Sequence, residues 1–324
     1  MVKAIRINKT GGPEVLQMEE VQVGDPGPGQ ARIRHTVIGV NYLDTYQRSG
    51  LYPMQVPMGA GNEGAGVVEA VGQGVTVVKV GDRVAYSGGV PGAYAEARLF
   101  PADRLVKIPE GVSDELAASI MLKGMTTWYL IHKTYKVQPG DTVLFHAAAG
   151  GVGQIAVQWL KALGATVIAT VGSDEKAKIV KGLGADHVIV YTRENFAERV
   201  KEITGGKGVP VVYDAVGKST FDGSLDCLRP LGFMVSFGNA SGPVPPLNLG
   251  LLSAKGSLFV TRPTLISYIA SRENLDAASQ ALFAVVKSGK VKIDISARYK
   301  LADAVQVHRD LEARKTTGSV VMLP

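Results

Sequence analysis

The sequence predicts an α/β protein with a doubly wound parallel sheet of six strands and a second, discontinuous β-rich domain resembling a barrel. Three observations lead to this prediction. Short apolar runs bounded by glycine and proline fill the first third of the chain, strands and helices alternate from residue 139 to about 261, and further helices follow. Strict alternation is typical of a parallel sheet covered by helices. A length of 324 residues also exceeds the usual size of one hydrophobic core.

In the first third, turn clusters such as Gly-Asp-Pro-Gly-Pro-Gly at 24–29 separate the apolar runs. Irregular β-structure with many glycines is typical of a barrel or a sandwich. The predicted strands are 2–7, 15–21, 31–40, 67–71, 83–86 and 94–100.

Helical patterns begin near Ser113, which can cap a helix with Asp114 and Glu115 in its first turn. We predict helices at 117–122 and 126–135 and then the alternating region, whose helices include 152–163, 175–181 and 221–228. Its six predicted strands are 142–147, 166–171, 187–191, 211–215, 233–237 and 257–261.

The last sixty residues add helical patterns at 274–288 and 301–313 and a terminal strand at 320–323. These elements have no partner among the six strands, so we expect them to fold back onto the N-terminal domain. The predicted domains are therefore 1–125 together with 262–324, and 126–261.

Composition excludes some classes of protein. Cys227 is the only cysteine, so neither an intramolecular disulfide nor a zinc site of three or four thiolates can form, and an enzyme of the reducing cytoplasm is expected. We expect Cys227, on the predicted helix 221–228, to be buried. The 35 basic and 29 acidic residues give a net charge of +6 but form no like-charged block. This argues against nucleic-acid binding. No run of 18 apolar residues occurs, so no membrane association is expected.

The strongest local motif is the segment 142–153, a buried strand followed by a turn of small residues and a helix. Its spacing matches a dinucleotide fingerprint in which Ala148 occupies the first glycine position, followed by Gly150 and Gly153. Small residues let the backbone approach a pyrophosphate, and the N–H groups of Gly151 and Val152 at the helix start can bind it. A Gly-rich turn alone is weak, but here it opens a six-strand alternation.

The tip of the next strand indicates which dinucleotide binds. An NAD site has an acidic side chain there, about 20 residues after the fingerprint, whereas this chain has Gly172 followed by Ser173. Ser173 can bind a phosphate, Lys176 lies one turn further on, and Tyr191 can close the adenosine pocket. We therefore predict NADPH. The alternative is that Asp174 binds the ribose while Lys176 is only a solvated helix residue.

Seven stretches, spread nearly from end to end of the chain, carry a family resemblance: 39–44, 61–68, 80–84, 92–96, 147–153, 211–217 and 236–239. With them the chain resembles the medium-chain dehydrogenase/reductase superfamily, and most closely its zinc-independent quinone oxidoreductase (ζ-crystallin-like) branch. The resemblance implies a Rossmann-type sheet and a GroES-like domain.

The same resemblance predicts a protein without a metal. Zinc alcohol dehydrogenases of the superfamily have Cys and His where this chain has Asn41 and Asn62. Amides are poor zinc ligands, and Glu63 alone makes no site. The five histidines are also scattered, with no pair at metal-binding spacing: His35, His132, His146, His187 and His308.

The resemblance also implies pocket residues. Asn41, Tyr46 and Tyr52 match positions in the family's catalytic cleft, and we predict Asn41 to bind cofactor or an acceptor oxygen. The tyrosines can stack on a planar ring, although Tyr42 and Tyr46, four residues apart, also fit simple packing. The remaining predicted cofactor residues are Thr126, which faces the nicotinamide in the family, Phe237 and Asn239 after the fifth strand, and Arg314 in the C-terminal tail.

The function expected from these residues is NADPH-dependent reduction of a quinone by hydride transfer without a metal. One alternative is reduction of activated C=C bonds in enals or enones. Another, of a different class, is an RNA-binding or crystallin-like protein without enzymatic activity, although no basic stripe interleaved with aromatics occurs. We also expect a homodimer through the edge strand 257–261.

Overall fold

The computed structural model describes all 324 residues, which cluster into two units. The first comprises Met1–Met125, Tyr268–Lys287 and Ile293–Pro324, and the second Thr126–Ser267 and Ser288–Lys292. The first boundary between the units falls between Met125 and Thr126. The second differs from the predicted boundary at 261/262, because residues 262–267 and the short segment Ser288–Lys292 cluster with the second unit.

The helices of the chain are, in order, α1 Tyr42–Ser49, α2 Asp114–Tyr129, α3 Gly151–Ala162, α4 Asp174–Gly182, α5 Phe196–Ile203, α6 Phe221–Asp226, α7 Gly250–Ala254, α8 Leu265–Tyr268, α9 Arg272–Lys287 and α10 Ala304–Glu312. A π-helical turn, Leu130–Thr134, follows α2. None of the helices has the length and hydrophobicity of a membrane span.

The strands of the first unit are β1 Val2–Ile7, β2 Leu16–Val21, β3 Gln30–Val40, β4 Met58–Gly59, β5 Glu63–Val71, β6 Arg83–Ser87, β7 Ala97–Pro101 and β8 Val106–Lys107. The second unit contributes β9 Thr142–Phe145, β10 Thr166–Val171, β11 His187–Val190, β12 Val209–Asp214, β13 Leu228–Ser236 and β14 Phe259–Thr261. The C-terminal strands β15 Ile295–Lys300 and β16 Ser319–Leu323 belong to the first unit.

The six strands of the second unit form one fully parallel sheet in the order β11-β10-β9-β12-β13-β14, which confirms the predicted doubly wound fold. The register pairs Leu144 of β9 with Ile168 of β10 and with Val212 of β12. These side chains are fully buried and belong to one core. The carboxyl ends of three central strands therefore meet at one edge, where ligands of such sheets bind.

The first unit contains a three-stranded sheet, β2-β1-β4, and a seven-stranded sheet, β15-β16-β3-β5-β6-β8, with β7 also paired to β3. Strand β16 pairs antiparallel with β3, Val320 lying opposite Val40. The C-terminal residues thus fold back onto the N-terminal segment, as predicted. One core joins side chains from both segments, including Ile38 and Met322.

Three predicted helices differ from the structure. The helices expected at 117–122 and 126–135 are one continuous helix, α2, followed by the π-helical turn. Gly124 does not end the helix: a Cβ there would lie 2.3 Å from the Leu282 side chain of α9, so glycine permits close packing. The helix expected at 221–228 ends earlier, at Asp226, and Cys227 is its C-cap, buried as expected.

Candidate functional site

The turn between β9 and α3 has the geometry of a phosphate-binding loop. The strand ends at Phe145, two residues earlier than predicted, and Ala147 then adopts a left-handed conformation with φ of 52°. Gly150 is the N-cap of α3. It is exposed, and Gly151 and Val152 are half-buried. The first N–H groups of a helix lack intrahelical acceptors, so this accessible end can donate them to a phosphate.

Gly153 fixes how closely α3 approaches the turn. A Cβ at this position would lie 2.6 Å from the carbonyl oxygen of Ala147 and 2.6 Å from the Cα of Ala148. These are backbone atoms held by the sheet, since the Ala148 N–H donates to the carbonyl of Thr170 at 3.1 Å. Only glycine therefore fits at 153. Ala148 is fully buried.

The tip of β10 carries the residues predicted to select the dinucleotide. Ser173 is the N-cap of α4, and its Oγ accepts the Lys176 N–H at 3.3 Å. A Cβ at Gly172 would lie 2.7 Å from the Tyr191 hydroxyl, which places that hydroxyl directly against the strand tip. Tyr191 follows β11 and is 38% exposed. The structure thus brings Gly172, Ser173, Lys176 and Tyr191 to one place on the surface.

Asp174 and Arg193 form an ion pair beside this tip, and Arg193 was not recognised in the sequence. The guanidinium donates to both carboxylate oxygens, with Nη1–Oδ2 at 2.7 Å and Nη2–Oδ1 at 2.6 Å. The Arg193 hydrogen bond holds the pKa of Asp174 below its usual range. No local spacing signals this contact, because Asp174 begins α4 and Arg193 lies 19 residues later, in the turn after β11.

The other predicted cofactor residues of the second unit lie near the carboxyl edge of the sheet or at the start of the unit. Phe237 follows β13, donates its N–H to the carbonyl of Asp214 at 2.8 Å and contacts the Phe145 ring, 5.8 Å between centroids. Asn239 lies two residues further and is half-buried. Thr126 is a buried residue of α2 and begins the second unit.

Behind the phosphate turn lies a buried polar chain that the sequence did not reveal. His146 Nδ1 lies 2.8 Å from Thr170 Oγ1, and its Nε2 lies 3.0 Å from Ser224 Oγ. Asp214 accepts from the Thr220 hydroxyl at 2.7 Å and from the Ser224 hydroxyl at 3.2 Å. Burial lowers the pKa of His146. This hydrogen-bonded network joins the ends of β9, β10 and β12, and all of its members are buried.

In the first unit, Asn41 lies in a buried cluster around Glu63. Its Nδ2 donates to Glu63 Oε2 at 2.7 Å, while the Leu122 N–H donates to Oε1 at 2.7 Å. Lys123 Nζ lies 3.3 Å from Glu63 Oε2, and both side chains are buried. Glu63 is completely inaccessible. Its charge is balanced by donors from α2 and from Asn41, the residue after β3.

A second buried network of hydrogen bonds begins at Asp44 of α1. Its carboxylate accepts from the Asn41 N–H at 2.8 Å, from Asn62 Nδ2 at 2.7 Å and from the Tyr94 hydroxyl at 2.9 Å. His308 Nε2 lies 3.2 Å from the Tyr94 oxygen. Because Tyr94 donates to Asp44, this nitrogen of His308 must donate to Tyr94.

This network of hydrogen bonds ends at Arg48, whose Nη1 lies 3.3 Å from His308 Nδ1. The Arg48 guanidinium also pairs with Glu312. Burial raises the pKa of Asp44 to about 6, and burial together with Arg48 lowers the pKa of His308 to about 3. His308 is therefore neutral at pH 7. No local sequence pattern signals this network, because its members come from segments up to 264 residues apart.

Tyr46 and Tyr52 lie together on one side of α1. Their ring centroids are 5.0 Å apart, and Tyr42 contacts Tyr46 edge-on at 5.3 Å. All three rings are half-buried. The packing alternative for Tyr42 and Tyr46 thus has direct support, while Tyr46 and Tyr52 also present ring surface. Arg314, exposed and left-handed with φ of 58°, follows α10 in the same unit.

No three side chains of His, Cys, Asp or Glu in this structure lie close enough to form a metal-binding group. Asn41 and Asn62 use their amide nitrogens as donors to Glu63 and Asp44. Burial raises the pKa of the Cys227 thiol to about 12, so it is held as the thiol.

Two known protein families match this chain. Residues 27–110 match the family described as alcohol dehydrogenase GroES-like domain, and residues 151–283 match the zinc-binding dehydrogenase family. A quinone oxidoreductase of Pseudomonas aeruginosa is 54% identical over 325 residues, covering 100% of both chains. A 2-haloacrylate reductase of Burkholderia is 50% identical over 331 residues, covering 100% of this chain and 99% of the relative.

Solved structures agree with this assignment. The crystal structure of Escherichia coli quinone oxidoreductase complexed with NADPH superimposes with a TM-score of 0.98 at 50% identity, covering 99% of this chain and 100% of the other. Since the identity holds over the full length and both domain families match, the chain belongs to the quinone oxidoreductase family of the medium-chain dehydrogenase/reductase superfamily.

Proposed function

We propose that this protein binds NADPH and reduces a quinone by hydride transfer without a metal ion. The observation that carries the proposal is the turn at β9 and α3, where Gly153 leaves no room for a Cβ and the helix N-terminus is accessible. A turn of this kind fits a pyrophosphate. The structural relative from Escherichia coli, solved with NADPH, supports the choice of nucleotide.

The residues at the tip of β10 support NADPH rather than NADH. Gly172 places no carboxylate at the strand end, and the Ser173 hydroxyl and the Lys176 ammonium can both bind a 2′-phosphate. The Tyr191 hydroxyl lies against the same tip. We propose these four residues, with the turn at 148–153, as the nucleotide-binding part of the site, and Thr126, Phe237, Asn239 and Arg314 as its further contacts.

The proposed chemistry does not require a Lewis acid. Bound NADPH supplies a hydride, and a quinone accepts it readily because its acceptor orbitals are low in energy. The protein then has to align the two partners and exclude water. We assign the second N–H of Asn41 Nδ2, beyond the one that Glu63 accepts, to the cofactor or acceptor oxygen. We assign the rings of Tyr46 and Tyr52 to the planar acceptor.

The amides at 41 and 62 support the metal-free part of the proposal. Each amide nitrogen is committed as a donor to a buried carboxylate, and Glu63 accepts from Asn41, Leu122 and Lys123. This donor set suits a fixed hydrogen-bond network and not zinc, which binds thiolate, imidazole or an available carboxylate.

A second candidate acceptor is a compound with an activated C=C bond. The relative named 2-haloacrylate reductase, at 50% identity over the whole chain, favours it specifically. Quinone and enone present the same kind of conjugated electrophile to a hydride, and the residues of α1 do not discriminate between them.

The test is a panel of absorbance assays at 340 nm that combines NADPH or NADH with benzoquinone, naphthoquinone, phenanthrenequinone and a simple enone. We expect NADPH oxidation with the quinones. Turnover with the enone alone would replace the quinone by the second candidate. Oxidation of primary alcohols with NAD, together with stoichiometric zinc, would contradict the metal-free proposal. Salt-dependent binding of RNA without any NADPH oxidation would support the non-enzymatic alternative instead.

We also propose a homodimer in the cytoplasm. Strand β14 is the edge of the parallel sheet and carries Phe259, which is 51% exposed and stacked on Phe233 at 4.7 Å. An exposed apolar edge strand is a site for pairing with a second copy. A monomeric mass in light scattering would rule out the dimer. The single, buried Cys227 supports a location in a reducing compartment.

A further inference from the structure

The ion pair of Asp174 and Arg193 lies where the ribose end of a dinucleotide is selected in sheets of this type. Asp174 is the first residue of α4, immediately after the Ser173 N-cap, and Arg193 lies three residues past the end of β11. Thr192 Oγ1 lies 3.4 Å from the carbonyl oxygen of Gly172, which joins the two loops. The pair therefore spans the tips of two neighbouring strands, β10 and β11.

A carboxylate at this place normally selects against NADPH. It accepts a hydrogen bond from the ribose 2′-hydroxyl of NADH and repels the charge of a 2′-phosphate. Asp174 lies two residues from the strand tip, and Glu175 follows it. Against these two carboxylates, the segment 174–176 offers one cation, Lys176. Without Arg193, this segment would carry a net negative charge beside the proposed phosphate position.

The contact geometry shows how Arg193 changes this balance. Both oxygens of Asp174 are bound by the two Nη atoms, at 2.7 and 2.6 Å, in a planar two-point pairing. This uses two of the five N–H donors of the guanidinium. Each side chain is 57% exposed, so a nucleotide phosphate can reach the pair from solvent. The pair is neutral overall and offers no uncommitted carboxylate to a ribose.

We propose that Arg193 sets the preference for NADPH over NADH by pairing with Asp174, so that this carboxylate neither repels the 2′-phosphate nor binds the 2′-hydroxyl. The proposal rests on the proposed use of NADPH and adds a specificity-determining residue to that site. Arg193 acts through Asp174, which distinguishes it from a residue that only binds the phosphate directly.

The test is a double-mutant cycle in binding, measured by titration calorimetry of the full chain with NADPH, NADH and 2′,5′-ADP. We expect Arg193→Ala to lower the affinity for NADPH and for 2′,5′-ADP about tenfold or more. The affinity for NADH should stay unchanged or rise. Asp174→Ala should leave NADPH binding within about threefold. In the Asp174→Ala background, Arg193→Ala should then change NADPH binding by less than about threefold, because the carboxylate that it neutralises is absent.

Arg298→Ala is the matched control, since Arg298 makes a two-point pair with the partly exposed Glu115 that belongs to the first unit. Arg298→Ala should leave the affinities for NADPH and NADH unchanged. An Arg193→Ala loss that is as large without Asp174 as with it, or that is equal for NADPH and NADH, would overturn the proposal. A wild-type protein that binds neither nucleotide would instead contradict the proposed function, whereas a wild type that prefers NADPH, with no change in the variants, contradicts only the role of Arg193.

Discussion

The phosphate turn of the second unit and the buried polar cluster of the first unit are built on different principles. At the turn, backbone atoms form the binding surface, and the side chains matter by being small, as at Gly153. In the cluster, Glu63 is held by Asn41 and Leu122, and Asp44 is held by the nearby Asn41 N–H and by Asn62 from another segment. A backbone site tolerates no added atom, whereas a side-chain cluster tolerates a change of shape better than a change of charge.

The largest effect is expected at the turn itself. In Gly153→Ala, the new Cβ would lie 2.6 Å from backbone atoms of Ala147 and Ala148, and neither can move without distorting the end of β9. We expect NADPH affinity to fall by at least about 100-fold, by loss of pyrophosphate contacts worth several kcal/mol. Titration calorimetry measures the affinity, and circular dichroism checks that the variant is folded.

Gly182→Ala is the control for this variant. Gly182 also lies in a helix, α4, but a Cβ there meets no atom within 4 Å. We expect unchanged NADPH binding and a stability gain of up to about 1 kcal/mol from helix propensity. Wild-type affinity in Gly153→Ala would contradict the role of the turn.

The second effect concerns the charge balance in the first unit. Glu63→Ala removes the carboxylate that neutralises the buried Lys123, and we expect the free energy of unfolding to fall by about 3–5 kcal/mol. Denaturant titration measures it. The exposed Glu110 provides the control, because Glu110→Ala should change stability by no more than about 0.5 kcal/mol.

A double variant separates charge from shape. In Glu63→Gln with Lys123→Met, both charges are removed and both volumes are nearly kept, so most of the loss seen in Glu63→Ala should be recovered. If the double variant is as unstable as Glu63→Ala, the hydrogen bonds from Asn41 and Leu122, and not the charge of Lys123, dominate the cluster.

The same difference explains which features the sequence predicted. The phosphate turn lies within twelve consecutive residues, so its spacing was readable, and the alternation around it predicted the parallel sheet. The pairing of Arg48 with His308 and Glu312 joins residues 260 and 264 positions apart, and no local pattern signals such a contact. Roles for Asn41 and the tyrosines came from family resemblance and stay predictions.

Two errors in the fold have local causes. The predicted gap between the helices at 117–122 and 126–135 does not occur, and at Gly124, within that gap, the missing side chain makes room for Leu282. Strand β15 was missed although Ile295, Ala297 and Tyr299 alternate with polar residues and are the less exposed members of the strand. Its alternation was a usable signal.

The acid sensitivity of the two buried groups in the first unit should have opposite signs. Burial raises the pKa of Asp44 from 3.8 to about 6, so between these values the folded state binds more protons and stability falls as the pH rises. The pKa of His308 is lowered from 6.5 to about 3. Between these values the unfolded chain binds more protons, so stability falls as the pH falls.

The smallest expected effect is therefore the pH dependence in His308→Gln. A difference of one bound proton changes the free energy of unfolding by about 1.4 kcal/mol per pH unit. The contribution of His308 should therefore lower the unfolding free energy of the wild type by about 2–3 kcal/mol as the pH falls from 6.5 to 4.5. His308→Gln removes that contribution, and its unfolding free energy should fall less over this range than that of the wild type, as measured by denaturant titration at both pH values. His187→Gln, a change at an exposed histidine, should keep the wild-type slope. An unchanged slope in His308→Gln would mean that the folded protein takes up the proton at His308 despite Arg48, and that the hydrogen-bonded chain from Arg48 to Asp44 can hold a second positive charge.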